Sequence, residues 1–322
     1  MRWQIGNVTI PNRTVLAPMA GVSDLPFRLL CKEQGAGLSV MEMISAKAVT
    51  FGNRKTAELA RTLPSEAPVA LQIFGHEPEV MAEAAKRIED WEFDILDINM
   101  GCPVPKIVNN QEGSALMKNP ALIEKIVRAC VRASSRPVTV KMRRGFDCNH
   151  INAVECAKAA EAGGASAIAV HGRTRTQMYS GEADRETIAE VVQAVRVPVI
   201  GNGDIKDGPT AKRMLDETGC AAVMVGRGAQ GNPWVFAEIN HYLETGEEPG
   251  RPSRREIVQM IERHAQLMLQ YKGEKQGILE MRKHVAWYVQ GFPGASKIRS
   301  RVNTVTTFSG LEELLSKEFP YA

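Results

Sequence analysis

The chain has 322 residues, 44% of them hydrophobic and 24% charged, with a net charge of only +3. That is too long for one small core and suits one large globular domain with an appendage. The start, Met1 to Gly6, lacks the apolar run of a secretory leader. No stretch approaches the roughly 18 apolar residues of a membrane span, so a cytoplasmic protein is expected.

A hairpin-like stretch from Trp3 to Asn12 opens the chain. Eight short β-rich apolar runs then alternate with helical segments, at residues 14–17, 38–41, 69–73, 95–98, 138–142, 167–170, 198–200 and 222–225. Near-continuous apolarity marks strands buried on both faces, as in a parallel sheet covered by helices. Amphipathic helices are expected over Glu79 to Trp91, Ala121 to Ser134, Asn152 to Gly163, Arg185 to Val195 and Thr210 to Thr218. Glycines stop several of them, as at Gly163-Gly164 and Gly219. Eight strand–helix units predict an α/β fold, a closed (β/α)8 TIM barrel over residues 1–244; a doubly wound open sheet is the runner-up. Beyond Asn240 the strands cease. Residues 253–290 carry helical periodicity, Gly291 to Gly294 break it, and a small C-terminal all-helical domain is expected over 245–322.

Charge is uneven along the chain. Residues 251–301 hold eleven Lys and Arg against four Glu, a local excess fitting a polyanion. On the helix around 278–290, Ile278, Met281, Val285 and Tyr288 form an apolar face, leaving Arg282 and Lys283 opposite, with Lys297, Arg299 and Arg301 following. The six cysteines (31, 102, 130, 148, 156 and 220) form no Cys-x-x-Cys pair and have no His at zinc-ligand spacing, so no metal is expected. Cys130, Cys156 and Cys220 fall in or beside helical segments and read as small core residues. Cys102 differs, because Met100-Gly101-Cys102-Pro103 displays its thiol on a turn just past a strand.

Chemistry in such a barrel sits at the C-terminal strand ends. In order these carry Pro18-Met19-Ala20-Gly21; Glu42; Gln72; Asn99 and Cys102; Lys141 and Arg143; His171, Arg173 and Arg175; Asn202-Gly203-Asp204; and Gly226-Arg227-Gly228. Lys141 is the sharpest signal, since an ammonium inside an apolar strand needs an anion or acceptor. The glycines of the last two ends, with Arg227, suit phosphate at the position where barrels often bind it. Flavin mononucleotide (FMN) fits the inventory better than a sugar phosphate, which gives Gln72 and Lys141 no purpose. A cation beside the N1–C2 edge of a flavin stabilises its anionic reduced form.

The motifs Ala17-Pro18-Met19-Ala20-Gly21-Val22-Ser23-Asp24, Asp97-Ile98-Asn99-Met100-Gly101-Cys102-Pro103, Val170-His171-Gly172-Arg173-Thr174, Gly201-Asn202-Gly203-Asp204 and Val225-Gly226-Arg227 together resemble the bacterial tRNA-dihydrouridine synthases, the B subgroup most of all. The resemblance continues through Arg282-Lys283-His284-Val285-Ala286-Trp287-Tyr288 and covers essentially the whole chain. It implies an FMN barrel that reduces chosen uridines of tRNA to 5,6-dihydrouridine with NADPH, and a helical domain that binds tRNA. It also implies that Pro18, Met19, Ala20, Gln72, Lys141, His171, Asn202, Gly203, Asp204, Gly226 and Arg227 hold the flavin, and that Cys102 is the catalytic acid. Asn99 is expected on the uracil edge, Arg173 and Arg175 elsewhere on the substrate, and Arg282, Lys283 and Arg299 on the tRNA. Partners are then tRNA and NADPH, with no membrane or metal, and the chain is expected to act as a monomer. Val104-Pro105 departs from the family's usual small or basic residues and bears on how the loop closes.

The chemistry agrees with the residues. Saturating uracil C5–C6 needs hydride at C6 and a proton at C5, and a thiol with the usual pKa of about 8.5 is protonated at neutral pH. The base must leave the RNA stack, at a cost of a few kcal/mol, which phosphate contacts from the basic tail offset. Two rivals stand. A free-pyrimidine dehydrogenase leaves the basic tail without a purpose, and a tRNA-folding helper without redox chemistry leaves Cys102 and Lys141 unexplained.

Overall fold

The computed structural model describes residues 1–320. Strands β1 (Trp3–Ile5) and β2 (Val8–Ile10) form the opening hairpin. Strands β3 (Thr14–Leu16), β4 (Leu38–Val40), β5 (Ile44–Ser45), β6 (Val69–Phe74), β7 (Ile95–Met100) and β8 (Val138–Arg143) follow. A small hairpin of β9 (Gly145–Asp147) and β10 (His150–Ile151) comes next, then β11 (Ala167–His171), β12 (Val199–Asn202) and β13 (Ala222–Val225). Eight of these pair in parallel in the order β3-β4-β6-β7-β8-β11-β12-β13, and β13 pairs back onto β3 to close the barrel.

The side-chain period of two along each strand explains both core and site. Leu16, Leu71, Leu96 and Val140 face outward into the layer between barrel and helices. Val15, Val40, Ala70, Ile95, Ala169 and Ile200 fill the interior, and Ile5 and Ile10 of the hairpin pack into the same cluster, plugging its N-terminal end. Further along the inward rows, nearer the C-terminal strand ends, stand Gln72, Asp97, Asn99, Lys141, His171 and Asn202. The barrel interior is therefore apolar below and polar at its C-terminal mouth.

The helices around the barrel are α1 (Leu25–Glu33), α2 (Ala46–Thr50), α3 (Arg54–Leu59), α4 (Pro78–Arg87), α5 (Pro105–Val108), α6 (Pro120–Ala133), α7 (Ala153–Gly163), α8 (Arg185–Ala194), α9 (Gly208–Thr218) and α10 (Val235–Thr245). Asp24 caps α1 by accepting from the Phe27 N–H. Gly164 and Gly219 end α7 and α9 in the left-handed region, at φ +101° and +69°. The short helices α2 and α3 and the strand β5 lie where no element was expected.

Beyond them α11 (Arg254–Lys272), α12 (Glu274–Tyr288), α13 (Ala295–Val302) and α14 (Phe308–Glu318) enclose their own hydrophobic cluster, from Ile257 to Phe319. The single helical stretch expected over 253–290 is two helices, broken where Gly273 takes φ +76°. Leu25, Leu29 and Leu30 of α1 pack on Leu267 of α11, joining this bundle to the barrel. None of the helices among the described residues is long and apolar enough to cross a membrane.

Arg28 of α1 is 1% exposed and meets the fully buried Glu66 at 2.7 Å, while donating also to the carbonyls of Ser23 and Arg61. Removing one partner leaves an uncompensated buried charge. Arg28→Met is expected to destabilise the protein by about 3–5 kcal/mol, and Arg28→Met with Glu66→Leu by clearly less, read as shifts in denaturation midpoint.

Candidate active site at the barrel mouth

The inward rows end around a cavity of about 930 Å³, within the size range of cofactor pockets. Pro18, Met19, Ala20, Gln72, Asn99, Cys102, Lys141, His171, Arg173, Asn202, Gly203, Asp204, Gly226 and Arg227 all line it. The residues expected from seven separate strand ends thus face one space. Arg175, expected on the substrate, does not line it: it stands over the Phe146 ring at 5.3 Å.

A directed hydrogen-bond chain crosses β6, β7 and β8. Asp97 accepts from Thr139 Oγ1 and from Gln72 Nε2, each at 2.6 Å. Gln72 Oε1 accepts from Asn99 Nδ2 at 2.9 Å, and Asn99 Oδ1 accepts the backbone N–H groups of Gly101 and Cys102 at 3.2 and 2.9 Å. Strand register makes this possible, since Gln72 stands opposite Asp97 and Asp97 opposite Thr139. The expected roles change accordingly. Asn99 braces the cysteine turn, with a single amide N–H left for a base, and Gln72, fully buried, holds Asn99.

Cys102 itself is half-buried. Its carbonyl accepts from both the N–H and the hydroxyl of Ser114, at 3.1 and 2.9 Å. Gly113 packs so closely that a Cβ there would lie 2.9 Å from that carbonyl oxygen. Burial pushes the thiol pKa up; the Val104 N–H and the charges of Arg143 and Lys141 oppose this without reversing it. The sulfur is therefore a protonated acid at neutral pH. Val104-Pro105 forms the cap and first residue of α5, so the departure from the family pattern starts a helix beside the thiol.

Lys141 reaches Asn202 Oδ1 at 3.2 Å, and Asn202 is aimed by its own bond to the Met224 carbonyl at 2.7 Å. Burial, aided by Arg143, lowers the Lys141 pKa to about 8 against the pull of Asp97 and Cys102. Its ammonium has no carboxylate within bonding distance, which leaves it for a ligand. His171 is held neutral: burial first, then Lys141, Arg143, Arg173 and Arg227, bring its pKa to about 2.

The opposite end of the cavity is an anion corner. Asp204 bonds Arg173 at 2.8 Å and Arg227 at 3.4 Å. Burial opposes its ionisation, but bonds from Arg173 and the Ala183 N–H, with both guanidinium charges, hold the carboxyl below its usual range. Asp204 thus positions two cations at the cavity, one of them Arg173. Arg173 Nη1 is buried without a partner. A Cβ on Gly226 would meet nothing nearer than 3.7 Å, so this backbone is open to a ligand, whereas a Cβ on Gly228 would strike the Ile205 carbonyl at 2.3 Å. An orphaned guanidinium N–H, two anchored arginines and bare backbone fit a phosphate, and Lys141 fits the far, polar edge of a planar ring.

Several lining residues had been given no site role, four of which shape the mouth. Arg143, two positions after Lys141 on the same inward row, is buried and donates to the carbonyls of Gly101, Thr174 and Met178 at 2.9, 2.8 and 3.0 Å. Its place on that row was the available signal. Val104, Met178 and Tyr179 form an apolar lip that no periodicity announced.

Two expected tRNA contacts are turned inward. Arg282 donates twice to the Val305 carbonyl, at 3.1 and 2.8 Å, and Lys283 donates to the Gly21 carbonyl. Arg299 is exposed, while Lys297 and Arg301 share Glu318. Among the described residues no cluster suits a metal ion.

The family model described as Dihydrouridine synthase (Dus) matches residues 15–321. The chain is 46% identical over 301 residues to tRNA-dihydrouridine synthase B of Pseudomonas aeruginosa, covering 93% of this chain and 90% of that one. It is 44% identical over 315 residues to the probable tRNA-dihydrouridine synthase of Rickettsia conorii, covering 98% and 95%. Two solved structures share the fold at low identity. The amine oxidase HisD of Pseudomonas geniculata N1 has TM-score 0.60 at 13% identity, over 76% of this chain and 49% of its own. Histamine dehydrogenase of Rhizobium sp. 4-9 has TM-score 0.57 at 14% identity, over 88% and 50%. The chain spans about half the length of these two.

The thiol's environment predicts its reactivity. Alkylation of Cys102 by iodoacetamide, followed by peptide mass spectrometry to separate it from the exposed Cys148, is expected to accelerate only above the ordinary thiol value of 9.0. An inflection below pH 8 would contradict the acid assignment.

Proposed function

The chain belongs to the dihydrouridine synthase family, and on that premise we propose that it is a tRNA-dihydrouridine synthase of the B kind, using FMN and NADPH. The observation that carries this reading is that Cys102, Lys141 and the Gly226–Gly228 turn open on one cavity. In this reading residues 1–244 carry the chemistry and residues 245–322 help to hold the RNA.

The anion corner of Arg173, Arg227 and the Gly226 backbone would hold the FMN phosphate, and Lys141 and the loop Pro18 to Ala20 would hold its ring. When bound and reduced by NADPH, the flavin supplies hydride to uracil C6. The protein's own part is the proton: Cys102 S–H gives it to C5, so that hydride and proton together saturate the double bond. The resulting thiolate regains a proton from solvent. Asn99 fixes the turn that aims the sulfur, and its remaining N–H is available to the base. Arg143 ties this turn to the 174–178 loop and keeps the mouth cationic, and His171, neutral, adds no further charge. Arg299 remains on the exposed basic face offered to tRNA.

Two outcomes test this. Cys102→Ala is expected to bind FMN and accept reducing equivalents from NADPH at the wild-type rate, while dihydrouridine formation falls about 10²–10⁴-fold, measured by nucleoside mass spectrometry. Wild-type turnover by that variant would remove the proton donor, and a purified protein that binds no flavin would remove the reading. Affinity of the cofactor-free protein for FMN is expected to fall above about pH 8, by up to tenfold per unit, because the acceptors of the ring edge favour the Lys141 ammonium, raise its pKa, and make binding take up a proton. Lys141→Met abolishes that inflection. Titration calorimetry in buffers of different ionisation enthalpy reads the proton directly.

A further inference from the structure

Six of the eight large hydrophobic side chains that stand exposed lie in connections leaving the C-terminal strand ends: Phe51, Leu59, Val104, Ile151, Met178 and Tyr179; the other two are Met1 and Leu279. Exposed apolar residues scattered singly need no explanation, but an aromatic ring held out among cations does. Phe51 is the extreme, at 77% exposure. It sits between the end of α2 and the cap of α3, on a tip where Gly52 turns at φ +67° and a Cβ would meet nothing within 4 Å. Arg87 anchors this tip by donating to the Thr50 carbonyl at 2.7 Å. Lys47, Arg54 and Lys55 flank it, and Glu58 is the one acid between Lys47 and Arg61. The Arg54–Glu58 pair is 3.2 Å apart at 92% and 63% exposure, too solvated to neutralise the patch.

Extruding a uridine unstacks its neighbours, whose faces then need partners. Meanwhile Arg282 and Lys283 of the helical bundle each donate to a backbone carbonyl within the protein. An aromatic ring among exposed cations matches single-stranded nucleic acid, which offers flat faces and phosphates together. We propose that the 46–59 tip is a second RNA-binding surface, on the barrel itself: Phe51 stacks on an unpaired nucleotide near the extruded uridine, and Lys47, Arg54 and Lys55 meet the adjoining phosphates. This rests on the reading of tRNA as substrate.

The test uses the flavin-loaded protein and unmodified tRNA, with binding measured across a salt series. Phe51→Ala is expected to weaken binding about tenfold at each salt concentration without changing the slope of log affinity against log salt. Flavin content and kcat at saturating tRNA stay as in the wild type, and Phe51→Trp restores affinity. Replacing Lys47, Arg54 and Lys55 with Gln flattens the slope by about two. Wild-type affinity in Phe51→Ala overturns the inference, as does a variant whose only change is loss of self-association, which assigns the tip to a second copy of the chain. A wild-type protein that neither binds nor modifies tRNA instead overturns the function on which the inference rests.

Discussion

The hydrogen-bond chain from Thr139 through Asp97, Gln72 and Asn99 to the Cys102 N–H is the constraint on which the mouth of the barrel depends. Its sense is fixed at both ends. Backbone N–H groups can only donate, so Asn99 must present its oxygen to them and its nitrogen to Gln72; Gln72 must then present its nitrogen to Asp97. Asp97 is contacted at both oxygens, and burial raises its pKa against the bonds of Thr139 and Gln72 and the charge of Lys141. Two amides, each with two possible orientations, are thereby left with one. The cysteine turn is set from within the barrel, from strands whose spacing varies little, and not by the loop that carries it.

Charge at the mouth follows from the same architecture. Lys141, Arg143, Arg173 and Arg227 outnumber Asp97 and Asp204 around the cavity. One consequence is a histidine that stays neutral; another is a thiol pulled two ways, by burial toward the acid form and by cations toward the thiolate. Burial prevails, and the sulfur keeps its proton. A site of this character attracts anions while holding a neutral proton donor, a combination that a single strongly charged residue would not give.

The barrel was legible because its signal is repeated. Eight apolar runs each fix the local period, and a closed parallel sheet is the arrangement that buries them all. Inward residues such as Gln72, Lys141 and Asn202 were legible for the same reason, as polar interruptions of apolar rows. What a side chain does once there was less so. Asn99 and Asp204 act on other residues, and nothing in a sequence shows that a neighbour's N–H or guanidinium lies within reach. The carbonyl bonds of Arg282 and Lys283 were not legible, because a helical face shows nothing of a carbonyl that comes near it from elsewhere in the chain. The helices α2 and α3, of five and six residues, are too short to show a period. The family motifs in turn mark which positions matter without saying which of them touch a ligand.

The turn at Ala20-Gly21 is gripped from two directions: Glu42 of the barrel accepts the Gly21 N–H at 2.8 Å, and Lys283 of α12 donates to the Gly21 carbonyl. The stretch Pro18 to Ala20 just before it lines the cavity. The bundle is thus a structural member of the pocket wall as well as an appendage beside it. Grafting the bundle of a relative onto this barrel, with the aim of redirecting which nucleotide is modified, would replace one of the two pins of that turn, so such chimeras couple target choice to prosthetic-group retention.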